Sequence, residues 1–502
     1  MFEELPQVQF SEVITASGEI QVEHETAPVS RFRLTRSKHD LRSPWEYEIF
    51  VREESRDAFD RAVGRRSWPK FTGKTSSGHT IEIPVLRWRS WSRSSGTLTG
   101  SIWEILIDPD ALPAKPSRQI ISVSLSHTSL ALPEKRFLMR SYTGEIKEEP
   151  DFGSEPEQLL YWDSAHGRIT LACYYDYEHA RVGESESLVQ IPVSSLRLQL
   201  SEDAFRTEPR SLSDSIAREI EGPLRLLSYL SRSHVRWSAI HVSSEFKDAD
   251  DRPGFHQLQR LRAGVSSEDK TNRDWGLANP YNMAPDGLNT MVTALRQSPY
   301  REVLLTAMVY LVTGNDTHTA ELSLVSSFTA LETITNGLGK VDRTDQILDS
   351  EAFRKIRKQI EAGIESHAKS EGFADHLVRL IVAKLGELNR PAIAPRLCAL
   401  IEHYKVDWKD LWPDDPLEVG VRKMFKVRND FVHTGHIDMT GRAYIAARRA
   451  HVLGERLIWQ ILGAQRQWED VRSSPRTDDL RAFERELDRQ EGSGSESAQG
   501  SS

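Results

Sequence analysis

The sequence has few cysteines, no long apolar run and no excess of positive charge, and each absence excludes a class of protein. Its two cysteines, Cys173 and Cys398, match no zinc or redox spacing, which is typical of a protein in a reducing cytoplasm. The most apolar window, residues 303–312, is shorter than the roughly 20 residues that a transmembrane helix requires. The acidic, mixed N-terminal residues differ from a signal or transit peptide. We therefore expect a cytoplasmic protein with no membrane partner.

The formal net charge of −9 argues against general coating of nucleic acid, because proteins of that kind carry an excess of basic residues. Contacts with RNA must then be local, and two basic runs are candidates, Arg422 with Lys426 and the segment at residues 354–358. The second run has the composition of a solvated helix face, which is the simpler interpretation. A chain of 502 residues is long enough for two or three domains, each with its own core.

Residues 1–205 show the alternation of apolar and polar residues that is typical of β-strands. Ile121, Val123 and Leu125 alternate with serines, and similar runs lie at residues 81–85, 168–175 and 187–200. This spacing predicts a β-rich, sandwich-like domain or a curved sheet. In residues 88–93 (WRSWSR) aromatic side chains are interleaved with arginines. That pattern fits packing in the core or at a sheet edge, and it also fits stacking on bases or sugars.

Two apparent ligand motifs in this half are incomplete. The tripeptide GKT at residues 73–75 resembles the end of a phosphate-binding loop, but the earlier glycine of that loop is replaced by Trp68. Asp110, Glu145 and Lys147 imitate a metal-dependent nuclease pattern that is degenerate enough to arise by chance. We therefore expect neither a metal nor another cofactor.

Residues 206–298 are predicted to be a connection made of one helix and a loop. Ser213 is a candidate cap for a helix that runs to Leu230, and Pro223 is expected to kink or split it. Residues 247–290 lose all periodicity and are rich in Asp, Gly, Pro and Asn, which predicts a long connection.

Residues 299–468 are predicted to form an all-α bundle, and residues 469–502 a charged, flexible tail. The segments at residues 314–316 and 336–337 contain Gly and Asn and are expected to end the first two helices. The predicted helices cover residues 300–313, 318–336, 351–368 and 371–389, a short stretch after Pro395, the segment that begins at Leu417, and residues 440–463. The predicted fold class is thus α+β with several domains, a β-rich N-terminal domain followed by a helical bundle.

The segment at residues 417–435 (LEVGVRKMFKVRNDFVHTG) has the period of an amphipathic helix and a Thr-Gly stop. One of its stripes is wholly apolar, and a second is apolar apart from Arg428. A third stripe is polar and mostly basic, and it comprises Arg422, Lys426, Asn429 and His433. Arg428, Asn429 and His433 should therefore lie where an apolar face meets a polar one, at the end of the helix.

A guanidinium, an amide and an imidazole in one patch can hold a phosphate and transfer a proton near neutral pH. The alternative is structural, with Arg428 paired to a neighbouring helix and His433 an ordinary surface residue. Spacing alone does not decide, because Arg236 and His241 have the same Arg-x4-His spacing. Arg428 differs from Arg236 in that polar Asn429 follows it directly on a well-patterned helix.

The hexapeptide at residues 428–433 (RNDFVH) resembles the Arg-Asn-x3-His signature of HEPN domains, α-helical bundles that include many metal-independent ribonucleases. Residues 328–332 (FTALE) resemble the FxALE helix of the ApeA-like HEPN branch, a bacterial anti-phage group with a β-rich N-terminal half. One departure is Thr434, since relatives often have a glycine directly after the histidine. The resemblance covers residues 300–465. It implies an endoribonuclease that acts in anti-phage defence by abortive infection, with two motifs facing each other across a homodimer.

In the mechanism that this resemblance implies, the 2′-hydroxyl of RNA is the nucleophile and no metal is required. Proton transfer is assigned to His433, stabilisation of the phosphorane charge to Arg428 and orientation of the phosphate to Asn429. The products carry a 2′,3′-cyclic phosphate and a 5′-hydroxyl. Transfer RNA is one candidate substrate, Arg422 and Lys426 are weaker candidates for RNA contacts, and a phage-derived trigger is expected to act on the N-terminal domain.

Glu332 is predicted to hold Arg428 in place. It is an acid on the core-facing stripe of Val325 and Phe328, and Arg428 likewise interrupts an apolar stripe. Charged groups in such positions are usually paired, so we expect the two side chains to meet. A purely structural ion pair predicts the same contact.

Two other functions stay open at this point. The chain could be a non-catalytic HEPN module that binds RNA or a nucleotide, or an interaction scaffold whose N-terminal aromatic residues recognise a glycan or a peptide. His433, His436 and Asp438 could also hold a metal ion. The two histidines lie on either side of the predicted helix stop, so spacing does not define their geometry.

Overall fold

In a computed structural model, the described residues are 13–22, 25–35, 44–63, 69–108, 115–126, 136–140, 146–150, 160–182, 185–201, 204, 207–247, 250–263, 286–316, 319–342, 346–434, 441–463, 484–487 and 489. Contacts divide the chain into two compact units, Met1–Val292 and Thr293–Ser502. The first unit is rich in antiparallel strands and the second is helical.

Fourteen described strands of the first unit join edge to edge in the order β12-β13-β14-β9-β15-β16-β8-β5-β4-β1-β2-β3-β7-β6, and β10 pairs with β11 separately. All the pairs are antiparallel. The strands are β1 Val13–Val22, β2 Glu25–Thr35, β3 Trp45–Phe50, β4 Lys70–Thr75, β5 Thr80–Ile83, β6 Arg87–Ser92, β7 Thr97–Ile102, β8 Glu104–Ile107, β9 Pro116–Leu125, β10 Arg136–Arg140, β11 Ile146–Pro150, β12 Tyr161–Ser164, β13 Gly167–Val182, β14 Ser185–Leu200, β15 Trp237–Lys247 and β16 Pro253–Arg262.

Alternation in the sequence explains these strands, because successive side chains of a strand point to opposite faces. In β9 the apolar residues Ile121, Val123 and Leu125 are buried, whereas the intervening residues are only partly covered. In the core, Phe32 stacks on Phe71 with ring centroids 4.5 Å apart. The predicted β-rich N-terminal half is confirmed, and its sandwich form stays a prediction.

Two strands, β15 and β16, and the helix α3 (Gly287–Gln297) correct the prediction that residues 206–298 are one helix and a loop. β15 and β16 are interior strands of the large sheet. Arg260 of β16 pairs with Glu104 at 2.6 Å and with Asp214 at 2.5 Å. Both partners are remote in sequence, so no local pattern in the sequence indicates that this arginine is paired within a sheet.

The first helix in this connection, α2 (Pro209–Ser231), also differs from its prediction. Glu208 caps it by accepting a hydrogen bond from the Ser211 amide at 3.1 Å, and Pro209 opens the first turn. Ser213 therefore lies inside the helix and is buried. Pro223 is buried within the same uninterrupted helix and does not split it.

The helical unit matches the predicted succession of helices. Among the described residues, the α-helices of eight or more residues, apart from α2, are α1 Arg56–Val63, α3 Gly287–Gln297, α4 Arg301–Asp316, α5 Ala320–Val341, α6 Ser350–Glu371, α7 Asp375–Lys384, α8 Ile393–His403, α9 Leu417–Thr434 and α10 Gly441–Ile461. A 3-10 turn, Leu385–Asn389, follows α7 directly. Across the part of the chain that the structure describes, no helix has the combination of length and apolar composition needed to cross a bilayer.

The predicted ends of α4 and α5 were wrong because glycine serves there in packing. α4 continues through Gly314, and α5 continues past Gly337 to Val341. A Cβ on Gly337 would lie 2.5 Å from both methyl carbons of Val303 on α4, so glycine lets the two helices approach closely. Tertiary contact outweighs the low helix propensity of glycine at this position.

The prediction of a flexible tail at residues 469–502 was wrong for one short stretch. Residues 484–487 are helical, and Glu484 accepts two hydrogen bonds from the guanidinium of Arg449 on α10, at 3.0 and 2.6 Å. A bidentate arginine–carboxylate pair of this kind is the strong form of the interaction. This stretch is therefore bound to α10 through the pair of Glu484 and Arg449.

Candidate functional site

The burial of α9 decreases along its length, a change that its apolar stripes do not predict. Leu417, Val421, Met424 and Phe425 are buried, and the apolar residues after them are less covered. Val432, next to the histidine of the motif, is 54% exposed. The helix is therefore anchored at its N-terminal half and open at the half that carries the motif.

An aromatic contact packs α9 on α5 just before the motif. Phe328 of α5 and Phe425 of α9 meet edge to face, with ring centroids 5.3 Å apart. Glu332 lies four residues after Phe328, and Arg428 lies three residues after Phe425. One turn beyond the aromatic pair, the same faces of the two helices therefore bring the acid and the arginine together.

Arg428 is held by two partners, as predicted for Glu332. Its Nη2 lies 2.6 Å from Oε1 of Glu332, and its Nη1 donates to Oδ1 of Asn429 at 3.2 Å. The two charged side chains are 30% and 27% exposed, so the pair is neither buried nor fully solvated. A guanidinium has five N–H donors, more than these two contacts use, and can still donate to a phosphate oxygen.

The remaining predicted side chains are exposed on one face of α9. Asn429 and His433 are one turn apart, and Arg422 and Lys426 lie on the preceding turns of the same face. Because the oxygen of Asn429 accepts from Arg428, its NH₂ group is the part that can donate to an anion. The structure thus joins Arg428, Asn429 and Glu332 directly and leaves His433 accessible at the helix end.

Arg396 of α8 is a further basic group near this site that the sequence analysis missed. It donates to Oδ1 of Asn336 at 3.0 Å and to the carbonyl of Thr335 at 2.7 Å. Asn336 lies one turn after Glu332 on α5, about 6 Å along the helix axis. Two arginines from different helices therefore bind adjacent turns of α5, Arg428 through an ion pair and Arg396 through hydrogen bonds. No local pattern in the sequence signals this, because the pairing is between remote segments.

A second polar cluster lies inside the helical unit, between α5 and α10. Nδ1 of His451 lies 3.4 Å from the hydroxyl of Ser327, and its Nε2 lies 3.0 Å from Oε1 of Glu455. All three residues are buried. The geometry fits a ring that donates from Nε2 to the carboxylate and accepts at Nδ1 from the hydroxyl. This cluster has the groups of a catalytic site but no access to solvent.

The aromatic–arginine strand of the first unit is explained by packing and ion pairs. In β6, at the edge of the sheet, Trp91 packs on Phe59 of α1 at 4.5 Å between ring centroids and donates to Asp60. Arg93 pairs with Asp60 at 3.1 Å and also with Asp57. Trp88 is exposed. Most of this pattern therefore has a structural role.

Two further sequence motifs, at Gly73 and in the basic run of α6, have structural explanations. Gly73 lies within β4, where a Cβ would be 2.3 Å from the carbonyl oxygen of Ser17 on β1, so close strand approach and not phosphate binding accounts for it. In the basic run of α6, Lys355 pairs with Glu351 at 3.1 Å and Arg357 with Glu361 at 2.6 Å, as expected for a solvated face.

The second Arg-x4-His pair differs from the motif on α9 in its environment. His241 lies on β15, and burial lowers its pKa. A partly buried imidazole with a lowered pKa favours the neutral form, because the charged form is poorly solvated there. This pair therefore lacks the solvent-exposed helix end that distinguishes His433.

The two metal patterns cannot be assembled from the described residues. Asp110, Glu145, His436 and Asp438 lie outside them, and Lys147 lies on β11. Among the residues that are described, no group of three or more His, Cys, Asp or Glu side chains is arranged to hold a metal ion.

No protein-family model, curated protein or solved structure matches the chain. The resemblance to HEPN domains therefore stays a prediction that depends on the motif residues.

Proposed function

We propose that the chain is a metal-independent endoribonuclease of the HEPN type that acts as an effector of anti-phage defence in the cytoplasm. The observation that carries the proposal is the placement of Arg428, which Glu332 and Asn429 hold on the same helix as an exposed His433. A cation in fixed orientation and an accessible imidazole are the groups that cleavage of RNA by its own 2′-hydroxyl can use.

In the proposed reaction the 2′-hydroxyl of the substrate attacks the adjacent phosphate. His433 takes or returns the proton, Arg428 stabilises the charge on the phosphorane, and Asn429 orients the phosphate through its NH₂ group. Glu332 positions the guanidinium of Arg428. The P–O5′ bond breaks, and the products carry a 2′,3′-cyclic phosphate and a 5′-hydroxyl.

One chain supplies one imidazole, whereas the reaction benefits from one group that accepts a proton and another that donates one. A homodimer formed through the helical unit would bring two motifs together. Exposed Val432 beside the motif supports such a contact, since an apolar residue on that surface gains from burial. RNA, with tRNA as one candidate class, is the proposed substrate, and the N-terminal unit is proposed to respond to a phage-derived trigger.

Binding of RNA or a nucleotide without cleavage is the second candidate. The observation that favours it is the short distance of 2.6 Å between Glu332 and Arg428, because a carboxylate so close offsets the positive charge that a phosphorane needs. An interaction scaffold, with Trp88 as an exposed aromatic contact, is the third.

Sequencing of RNA ends from cells that express the chain tests the proposal. The wild-type chain should generate new 5′-hydroxyl ends, and His433→Ala should not. His367→Ala, which removes an exposed histidine on α6, is the matched control and should behave like wild type. RNA that binds the wild-type chain without acquiring new ends would support the binding module instead.

A further inference from the structure

The strand β6 forms one end of the large sheet. Among the described strands it pairs only with β7, so the backbone groups along its outer edge have no partner strand in the described part of the chain. An edge of this kind is a template on which another chain can add a strand. Many proteins protect such edges, so the side chains of β6 decide whether this one favours or opposes pairing.

A β-bulge places both tryptophans of β6 on the same face of the sheet. Trp88 lies opposite Gly100 on β7, the register then shifts at Arg89, and Trp91 lies opposite Leu98. Without the extra residue, two side chains three positions apart in a strand would point to opposite faces. Leu98 is buried, so both tryptophans lie on the core-facing side of this edge.

The two tryptophans differ in how far they are covered. Trp91 packs on Phe59 of α1, with ring centroids 4.5 Å apart, whereas Trp88 is 43% exposed. Charged residues and a bulge also occur on edges that are protected against pairing, but an exposed tryptophan has the opposite effect. A strand added beside β6 would bury this ring against its own side chains.

The other face of the same edge is basic. Arg87 lies opposite Ser101, and its guanidinium lies over the ring of Trp103, 5.9 Å from the centroid. It forms no ion pair with any residue that the structure describes. Arg89 has a pair with Glu46 at 3.4 Å, but the two side chains are 70% and 68% exposed, and a pair so exposed is weak. Carboxylates of a partner can therefore bind here.

This arrangement fits a peptide better than a nucleic acid. Trp88 and Arg87 are adjacent in the strand and point to opposite faces. A peptide strand beside β6 matches this pattern, because its successive side chains also alternate between the two faces. Stacked bases and their phosphates instead need aromatic and basic groups on one surface.

We propose that the outer edge of β6 is the docking site of an extended peptide segment in which apolar and acidic residues alternate. The peptide adds to the sheet as an antiparallel strand, the orientation of every described pair in this sheet. Its apolar side chains contact Trp88, and its acidic side chains contact Arg87 and Arg89. No residue of α9 takes part, so the proposal stands whether or not the chain cleaves RNA.

Selection from a bead-bound library of short random peptides on the purified full-length chain tests this docking site. The enriched sequences should alternate apolar and acidic residues. The Kd of an enriched peptide, measured by fluorescence anisotropy, should rise at least about tenfold for Trp88→Ala, because a buried tryptophan commonly dominates an interface. Phe255→Ala is the matched control, since it removes an aromatic residue that is 55% exposed on the interior strand β16, and it should bind like wild type. A library without enriched sequences, or equal binding to both variants, would overturn the proposal.

N-methylation of the peptide provides a second measurement that leaves the protein unchanged. In an added strand, alternate backbone N–H groups face β6 and the others face solvent. Methylation of one alternate set should therefore raise the Kd at least about tenfold, and methylation of the other set should change it little. Arg87→Glu should also weaken binding, and added salt should reduce the difference between this variant and wild type. Equal tolerance of both methylated sets would exclude strand pairing, and a single-stranded RNA that displaces the peptide at lower concentration would make the edge a nucleic-acid site instead.

Discussion

Two histidines of the helical unit occupy opposite environments. His451 of α10 is buried, and both of its ring nitrogens are engaged by Ser327 and Glu455. His433 of α9 is exposed at the end of a helix whose neighbouring arginine is held from one side by Glu332. The groups are similar in the two sites, and access to solvent separates them. A closed polar cluster contributes to stability and specificity of packing, and an open one can bind and transform a ligand.

Of the changes that test the difference between these two histidines, His433→Ala is expected to have the largest effect, and that effect is on RNA cleavage. Cleavage of RNA should fall by roughly 10²- to 10⁴-fold, because general acid–base catalysis contributes that much. The thermal midpoint should stay close to that of wild type, since an exposed residue at a helix end has little packing to lose. Initial rates on a labelled RNA, with a melting curve for each protein, check both points. A large fall in the midpoint would make His433 structural.

Arg428→Ala should reduce cleavage by roughly 10²- to 10³-fold, the range for loss of one group that stabilises transition-state charge. Its effect on stability should be modest, because a partly exposed ion pair contributes about 1 kcal/mol or less. Glu332→Gln is the control, which keeps the shape of the acid and removes its charge, and it should cost less activity than the loss of Arg428. A fully active Arg428→Ala chain would exclude the assigned role.

His451→Ala should act on stability and not on chemistry. It leaves the buried carboxylate of Glu455 without the hydrogen bond from the imidazole, and loss of a hydrogen-bond partner of a buried polar group typically costs about 1–3 kcal/mol. Urea unfolding followed by helical circular dichroism measures the shift. His403→Ala, at an exposed position on α8, serves as the comparison and should shift the transition little. If His451→Ala unfolds like wild type, the buried cluster is not the stabilising element.

Removal of metal ions is expected to have the smallest effect. Cleavage should persist in excess EDTA, because attack by the 2′-hydroxyl needs no metal in the proposed mechanism. Activity that disappears with the chelator and returns with magnesium or manganese would direct attention to Asp110, Glu145 and Lys147.

Local patterns of apolar and charged residues predicted the elements and the side-chain positions that follow from those patterns. The apolar period of α9 predicted its bounds and its buried side, and two charges on apolar stripes predicted that Arg428 meets Glu332, which is confirmed. The alternation in β9 likewise predicted a strand.

Contacts between remote segments account for what the sequence did not predict. Residues 247–290 were predicted to be a long connection because they are rich in Asp, Gly, Pro and Asn, yet β16 lies among them and its Arg260 pairs with Glu104 and Asp214. Gly337 looked like a helix end, and it is instead the place where α5 packs closely on Val303. In both cases the deciding partner is far away in the chain, so no window of the sequence contains it.

The chemistry of the RNA ends tests the central claim most directly. Purified wild-type chain incubated with RNA should leave 2′,3′-cyclic phosphate and 5′-hydroxyl ends, and both should be absent with His433→Ala. The cyclic phosphate follows from attack by the 2′-hydroxyl, so these ends report the mechanism itself. Products with 3′-hydroxyl and 5′-phosphate ends, or cleavage that survives in His433→Ala, would contradict the assignment of His433 and Arg428.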